Sequence, residues 1–151
     1  MVIFLLRHAD KQPGADDLSP AGVERAQLLA RMLGESGISV AYCSDAARTR
    51  RTLDPLEKKL RGALVVKEVS TEGPDGVTRQ VKAVIAAVKA LPADAVAAVV
   101  GHTNTIPEII EGLGGGGGRK IGEQEFDKLF VLFIDPAGSA SLLELRYGAP
   151  T

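Results

Sequence analysis

The sequence predicts a single α/β domain of three layers, in which a mainly parallel sheet carries helices on both faces. Short apolar runs alternate along the chain with segments of helical periodicity, which is the order of elements that such a sheet requires. The apolar runs are continuous, as in strands that are buried on both faces. A length of 151 residues, with 45% hydrophobic and 25% charged residues, fits one globular domain spanning residues 1–151.

The first half of the chain supplies three strands and two helices. Strands are predicted at Val2–Leu6, Ile38–Cys43 and Leu64–Val69. The first helix begins at Pro20, with Ser19 as its N-cap, because proline suits the first helical position and a serine hydroxyl caps the free N–H groups. The second helix starts near Asp45. Pro55 is expected to interrupt it, and Asp54–Glu57 has the pattern of a restart with its own cap.

The second half continues the alternation and then ends in two consecutive strands. A helix is predicted at Val77–Leu91, a strand at Ala95–Val100, a helix from the capping box Thr105–Glu108 through Glu111, and strands at Leu129–Ile134 and Ser141–Tyr147. Five consecutive glycines, Gly114–Gly118, cannot hold a regular element and are expected to form a mobile loop.

Composition argues against several classes of protein. A net charge of -1 and the absence of tryptophan give no support to nucleic-acid binding. Cys43 is the only cysteine, so neither an intramolecular disulfide nor a cysteine-based zinc cluster can form. The apolar run Val2–Leu6 is too short for a signal segment or a membrane span. We therefore expect a cytoplasmic protein without a membrane partner.

The residues that could bind a ligand or take part in a reaction lie at or shortly after the ends of the predicted strands. Arg7 and His8 follow the first strand, Arg48 lies shortly after the second, and His102 follows Ala95–Val100. Ligands of parallel sheets bind beyond the carboxyl ends of the strands, and both histidines of the chain are at such positions. Taken alone, a histidine after a strand is more often structural, but these four side chains together suit a doubly charged tetrahedral anion such as phosphate.

The same four residues suggest a mechanism. A neutral His8 could attack phosphorus and form a covalent phosphohistidine. Arg7, Arg48 and a protonated His102 would then stabilise the charge on the equatorial oxygens. The neighbouring Arg50 and Arg51 are expected only to form a solvated helix face.

The segment Phe4–Lys11, FLLRHADK, resembles the Arg-His-Gly signature of the histidine phosphatase superfamily, also called phosphoglycerate mutase-like. Blocks similar to that family follow in the same order at Leu18–Gly22, Tyr42–Thr49, Val100–Thr105, Phe126–Val131 and Leu145–Gly148. The last two blocks look like those of short bacterial members, similar to phosphohistidine phosphatases. The resemblance covers nearly the whole chain and implies a phosphoglycerate mutase-like fold.

The resemblance also implies roles for individual residues. His8 would be the nucleophile, Arg7 and Arg48 would bind phosphate, and His102 would be the second histidine of the pocket. Thr103, beside His102, is taken as a further phosphate-binding residue. No metal or other cofactor would be required, and the partner would be a small phosphorylated molecule or a phosphoprotein.

Two positions depart from the family pattern. Ala9 stands in place of the usual glycine, a small change that we expect the site to tolerate. Asp45 stands in place of a common proline and is expected to alter the loop more than the chemistry.

The general acid is the least determined part of the site. Many family members use a carboxylic acid from the segment after the third strand, where this chain offers Glu72 first and Asp75 second. The compact phosphohistidine phosphatases that the chain resembles can also work without one, because an imidazole leaves more easily than an alkoxide.

Other phosphate chemistries fit the sequence poorly. Cys43 and Arg48 are separated by four residues, one fewer than in the loop of cysteine-dependent phosphatases, and the glycine run lacks the Lys-Ser/Thr ending of a Walker loop. The alternative that stays open is a catalytically weak module of the same fold, which would bind phosphate or a phosphoprotein without efficient turnover.

Overall fold

A computed structural model of the protein describes all 151 residues, from Met1 to Thr151. Its six strands are β1 (Val2–Arg7), β2 (Val40–Ser44), β3 (Val65–Val69), β4 (Val96–Gly101), β5 (Lys128–Ile134) and β6 (Ala140–Arg146). Its four helices are α1 (Pro20–Leu33), α2 (Ala47–Leu60), α3 (Gly76–Lys89) and α4 (Ile106–Gly112). Every predicted strand and helix is therefore present, with boundaries shifted by a few residues. None of the helices is long and apolar enough to cross a membrane.

The six strands form one sheet in the order β3-β2-β4-β1-β5-β6. The four strands from β3 to β1 are mutually parallel, and β5 and β6 run antiparallel to their neighbours. In the β1–β4 register Arg7 pairs with Gly101, so the ends of these two strands lie side by side. The predicted mainly parallel sheet is confirmed.

The core lies on both faces of this sheet. On one face α1 and α2 cover side chains such as Cys43 and Val100 with Leu29, Leu53 and other apolar residues. On the other face α3 and α4 supply a second buried cluster of valines and isoleucines. Each fully buried large aliphatic side chain contributes roughly 1.5–3 kcal/mol, so the two faces stabilise the three-layer arrangement together.

Helix α2 runs without a break through Pro55, so the predicted restart at Asp54–Glu57 is wrong. Proline has no backbone N–H, so α2 lacks one helical hydrogen bond at Pro55 and is destabilised locally. Packing against the rest of the protein stabilises the helix, because Thr52, Leu53 and Leu56 of α2 are all fully buried. Burial on both sides of the proline keeps the helix continuous.

The predicted capping box at Thr105–Glu108 is also wrong. Thr105 has helical backbone angles, and its side chain caps no N–H of α4. The Thr105 hydroxyl instead accepts a hydrogen bond of 3.0 Å from the backbone N–H of His102. The hydroxyl therefore closes the turn that carries His102 rather than starting the helix.

The glycine run forms irregular backbone after α4, in agreement with the sequence. Gly114, Gly116 and Gly118 all have positive φ angles, of 91°, 91° and 78°. Only glycine adopts this region without strain, so the composition of the loop follows from its backbone path. The mobility of the loop stays a prediction.

Candidate active site

The carboxyl ends of β1, β2 and β4 surround a cavity of about 700 Å³. Only one of its lining residues, Val77, is hydrophobic. The cavity is lined by Arg7, His8, Lys11, Arg48, Thr71, Val77, His102, Thr103, Asn104, Thr105 and Glu123. The five residues that the sequence assigned to phosphate binding thus line one polar cavity, with charges suited to an anion.

His8 is nearly inaccessible, with 2% of its surface exposed. Its Nδ1 lies 2.8 Å from the carbonyl oxygen of Ala9. A carbonyl can only accept, so Nδ1 carries the proton and Nε2 keeps its lone pair. Burial, reinforced by the charges of Arg7 and Arg48, lowers the pKa of His8 to about 4. The imidazole is therefore neutral at pH 7, as a nucleophile requires.

The loop beneath His8 is fixed by backbone contacts. The N–H of His8 donates to the Gly101 carbonyl at 2.9 Å, which joins the ends of β1 and β4. The N–H of Ala9 donates to the Thr52 hydroxyl at 2.9 Å, which joins the loop to α2. The methyl group of Ala9 is fully buried, so the site accommodates alanine at the family's glycine position.

The second histidine stands edge-on to the first, with 5.5 Å between the ring centroids of His8 and His102. Nε2 of His102 lies 2.7 Å from the Ser44 hydroxyl, and Nδ1 lies 3.5 Å from a terminal nitrogen of Arg48. Burial and then the positive charges of Arg48 and Arg7 lower the pKa of His102 to about 4. Both imidazoles are therefore uncharged at neutral pH.

Arg7 is held by the segment before β5. Its Nη1 donates to the carbonyl oxygens of Gly122, Glu123 and Glu125, at 3.2, 2.7 and 3.1 Å. Its guanidinium also stacks 4.0 Å above the centre of the Phe126 ring, a favourable cation–π geometry. Burial lowers the pKa of Arg7 from its usual value, although the guanidinium stays charged. The arginine is therefore fixed in place before any ligand arrives.

Arg48 is oriented by a residue from a distant loop. Its Nη1 donates to the carboxylate of Asp16 at 2.9 Å. The Nε atoms of both Arg48 and Arg7 are buried and have no hydrogen-bond partner in the protein. Each arginine therefore has one buried N–H donor without an acceptor in the protein.

The loop between β3 and α3 approaches the cavity through Thr71. Asp45 fixes this loop, because its carboxylate accepts from the Thr71 hydroxyl at 2.7 Å and from the Ser70 hydroxyl at 3.3 Å. Glu72 follows immediately but is exposed and absent from the cavity lining, and Asp75 is likewise exposed at the start of α3. Neither acid stands beside the two histidines.

Two charged residues of the cavity were not predicted from the sequence, Lys11 and Glu123. Lys11 belongs to the FLLRHADK segment, three residues after His8, so its position near the strand end was a usable signal. Glu123 comes from the polar stretch before β5, which has no periodicity to place it. It is the only carboxylate-bearing residue that lines the cavity.

Two alternative chemistries have no support in this geometry. Cys43 is fully buried on β2, and burial raises the pKa of its thiol to about 11, so no thiolate nucleophile is available there. No group of three or more His, Cys, Asp or Glu side chains is arranged to hold a metal ion.

Part of the chain matches the model of a known protein family. Residues 3–72 match the family model of the histidine phosphatase superfamily (branch 1), and this span contains Arg7, His8 and Arg48. The amino-terminal part of the chain is therefore similar to the histidine phosphatase superfamily. No curated protein sequence matches the chain significantly.

Solved structures show a similar fold over nearly the full length of the chain. The alpha-ribazole phosphatase from Shigella flexneri has 16% identity and a TM-score of 0.74, with 100% of each chain covered. The protein histidine phosphatase SixA complexed with tungstate has 16% identity and a TM-score of 0.66, with 97% of each chain covered. A candidate phosphohistidine phosphatase SixA from Nakamurella multipartitia has 27% identity and a TM-score of 0.61, with 98% of this chain and 96% of that chain covered. The superfamily fold, phosphoglycerate mutase-like, therefore accounts for the whole domain.

Proposed function

We propose that this protein is a member of the histidine phosphatase superfamily, a phosphatase that hydrolyses a phosphomonoester or a phosphohistidine through a covalent intermediate on His8, without a metal ion. The observation that carries the proposal is the state of His8. Its Nδ1–H is bound to the Ala9 carbonyl, so the nucleophilic lone pair is on Nε2 of a neutral ring that lines the cavity.

The reaction has two steps. In the first, Nε2 of His8 forms a bond to phosphorus while the bond from phosphorus to the leaving group breaks, and the leaving atom takes a proton. In the second, water attacks phosphorus, the N–P bond breaks, and the water returns a proton to the group that supplied one in the first step. Inorganic phosphate leaves, and the electron pair returns to Nε2, so His8 is neutral again.

Charge stabilisation falls to the side chains around His8. Arg7 and Arg48 both line the cavity, and a guanidinium forms strong charge-assisted hydrogen bonds with phosphate oxygens. His102 is neutral in the empty site, but a bound dianion would raise its pKa and favour the protonated form. Thr103 offers a hydroxyl at the same wall of the cavity.

The proton for the leaving group is assigned to Glu72. Its neighbour Thr71 lines the cavity, so a rearrangement confined to the residues after Thr71 would be needed to place the carboxylate beside a ligand. A substrate whose leaving group needs little protonation, such as phosphohistidine, would react without that rearrangement.

The substrate class follows from the shape and polarity of the cavity. Its lining is open and polar, with Lys11 and Glu123 at the wall and a single exposed apolar residue, Val77. Such a cavity offers little apolar surface to an apolar leaving group. The similarity to a candidate phosphohistidine phosphatase and to an alpha-ribazole phosphatase supports a phosphoprotein or a small phosphorylated molecule.

A steady-state assay tests this function. Hydrolysis of p-nitrophenyl phosphate is measured with a chelator present, for the wild type and for His8→Ala, between pH 5 and 8. We expect chelator-resistant turnover in the wild type and its loss in the variant. Undiminished turnover in His8→Ala would exclude the proposed nucleophile.

One observation favours the alternative of a binding module. Glu123 is the only carboxylate in the cavity lining, so neither of the candidate general acids, Glu72 and Asp75, lies there to protonate a leaving group. A binding module would bind inorganic phosphate in calorimetry but release no phosphate from either p-nitrophenyl phosphate or a phosphohistidine peptide. The two substrates together thus separate a slow enzyme with a poor surrogate from a protein that only binds.

A further inference from the structure

His102 is held on both sides of its ring. Nε2 lies 2.7 Å from the hydroxyl of Ser44, and Nδ1 lies 3.5 Å from Nη2 of Arg48. Arg48 lines the cavity, whereas Ser44 is 1% exposed and is not part of the lining. The Nδ1 side of the ring therefore faces the cavity, and the Nε2 side faces the interior.

The contact at Nδ1 indicates which ring nitrogen carries the proton of the neutral ring. A guanidinium has five donor groups and no acceptor, so Nδ1 must present its lone pair to Arg48. The neutral ring then carries its proton on Nε2. Nε2–H donates to Ser44, which is the reverse of the arrangement in His8, where Nδ1 carries the proton.

The other contacts of Ser44 agree with this assignment. If the Ser44 hydroxyl accepts from Nε2–H, its own proton is free to donate to the Thr49 hydroxyl, 3.1 Å away. The Thr49 hydroxyl can in turn donate to the Ala46 carbonyl at 2.7 Å. The N–H of Ala46 lies 3.3 Å from the Ser44 oxygen and occupies its second lone pair. Every donor in this buried network then has an acceptor.

We infer that Ser44 is a positioning residue that accepts from Nε2–H of His102 and, together with Arg48 at Nδ1, holds the ring in the tautomer protonated on Nε2, so that His102 meets a phosphate ligand through Nδ1. The inference rests on the proposed function only for its catalytic consequence. With Nε2–H committed to Ser44, the proton that makes His102 cationic must reside on Nδ1, where it is available to a phosphate oxygen. Ser44 itself does not contact the ligand.

The tautomers are measured directly in ligand-free, ¹⁵N-labelled protein at pH 7. Long-range ¹H–¹⁵N correlation spectra distinguish a protonated ring nitrogen from an unprotonated one, and the chain has only two histidines to assign. We expect opposite patterns, with His8 protonated on Nδ1 and His102 protonated on Nε2. A wild-type His102 protonated on Nδ1 would overturn the inference without any variant.

Substitution then tests the role of the hydroxyl. In Ser44→Ala we expect the His102 pattern to lose its preference for Nε2–H and kcat/KM for p-nitrophenyl phosphate to fall about tenfold to a hundredfold, the range typical of losing a group that orients a functional histidine. Ser44→Thr retains the hydroxyl and should restore the tautomer. Ser36→Ala removes a serine hydroxyl bound to the Leu33 carbonyl, remote from the site, and should change neither readout.

An unchanged His102 pattern in folded Ser44→Ala would contradict the inference, even if kcat/KM falls, because the effect on rate would then be merely structural. If the wild type neither hydrolyses nor binds phosphate, the proposed function fails, but the tautomer measurement in the ligand-free protein retains its meaning.

Discussion

The carboxylate of Asp16 binds Arg48 through both the backbone and the side chain of that arginine. Oδ1 accepts from the Arg48 N–H at 3.0 Å and from its Nη1 at 2.9 Å, and Oδ2 accepts from the N–H of Ala47 at 2.9 Å. The N-cap residue of α2, Ala46, has no side-chain acceptor of its own. Asp16 therefore caps α2 from a distant loop, and its Oδ1 also orients the Arg48 guanidinium.

Removal of this carboxylate should affect stability and ligand binding together. We expect Asp16→Ala to lower the free energy of unfolding by about 1 kcal/mol, the usual cost of losing an N-cap, and to weaken the binding of inorganic phosphate. Urea denaturation and calorimetry measure the two effects. The neighbouring Asp17→Ala, which removes a carboxylate paired with Arg51 on the surface, is the matched control for binding. Equal phosphate affinity in both variants would contradict the orienting role.

The free energy of unfolding at acid pH should also depend on Asp16. Partial burial acts in the opposite direction, but the hydrogen bonds from Ala47 and Arg48 prevail and lower the pKa of Asp16 to about 2. A carboxylate with a depressed pKa stabilises the fold above its ordinary pKa and loses that contribution as the pH falls towards 2. The difference in unfolding free energy between wild type and Asp16→Asn should therefore shrink from pH 5 to pH 3.

Arg48 should be required in both the ground state and the transition state. Replacing it with alanine removes charge-assisted hydrogen bonds worth roughly 1.5–3 kcal/mol each, so we expect phosphate affinity and kcat/KM both to fall by at least about tenfold. Arg51→Ala is the control, because Arg51 belongs to the same helix but pairs with Asp17 on the surface. Unchanged kinetics in Arg48→Ala would remove Arg48 from the site.

The two histidines should titrate far below the usual range. Burial, followed by the surrounding positive charges, lowers the pKa of each to about 4, from an ordinary value of 6.5. The C–H proton resonances of both rings should accordingly have midpoints near pH 4. In Arg48→Ala the midpoint of His102 should rise, because a positive charge is lost. A midpoint near 6.5 in the wild type would refute the neutral state of the ligand-free site.

The same shifts fix the sign of a stability effect. Between pH 6.5 and 4 the unfolded chain binds protons at His8 and His102 that the folded protein does not accept. The contribution of the two histidines to the free energy of unfolding is therefore complete above pH 6.5 and is lost as the pH decreases through this window. The contribution of His8 is about 3 kcal/mol once both its pKa values have been crossed. His8→Asn should flatten this part of the pH profile in urea denaturation.

The general acid can be assigned by varying the leaving group. p-Nitrophenolate needs no proton to leave, whereas an alkoxide does. We expect Glu72→Gln to leave p-nitrophenyl phosphate turnover nearly unchanged and to slow an alkyl phosphate by about a hundredfold. Asp75→Asn, the second acid of the same loop, is the control. A loss of alkyl phosphate turnover in Glu123→Gln, and not in Glu72→Gln, would transfer the role to the carboxylate that lines the cavity.

The sequence predicted most of the fold because local patterns determine it. Continuous apolar runs specified the buried strands, and the Ser19-Pro20 pair specified the start of α1, where Ser19 does accept from the Gly22 N–H. The site was predicted for a related reason. Arg7, His8 and His102 follow parallel strands directly, and topology alone brings such positions to one edge.

The features that escaped prediction depend on contacts between distant parts of the chain. Asp16 caps a helix that begins 31 residues later, and nothing in the residues around Asp16 encodes that contact. Asp45 was noticed as a departure from the family pattern, but its bonds to the loop at Thr71 have no local signature. At Pro55 the local signal was clear and gave the wrong answer, because burial of the surrounding α2 residues outweighs one lost hydrogen bond.

The measurement that tests the central claim most directly is detection of the phosphorylated enzyme. Wild type and His8→Gln are mixed with p-nitrophenyl phosphate, quenched in alkali, in which phosphohistidine is preserved, and analysed by intact mass and peptide mapping. The account predicts a gain of one phosphoryl group in the wild type, located on His8, and none in the variant. Turnover by the wild type with the phosphoryl group on another residue, or turnover that persists in His8→Gln, would contradict it.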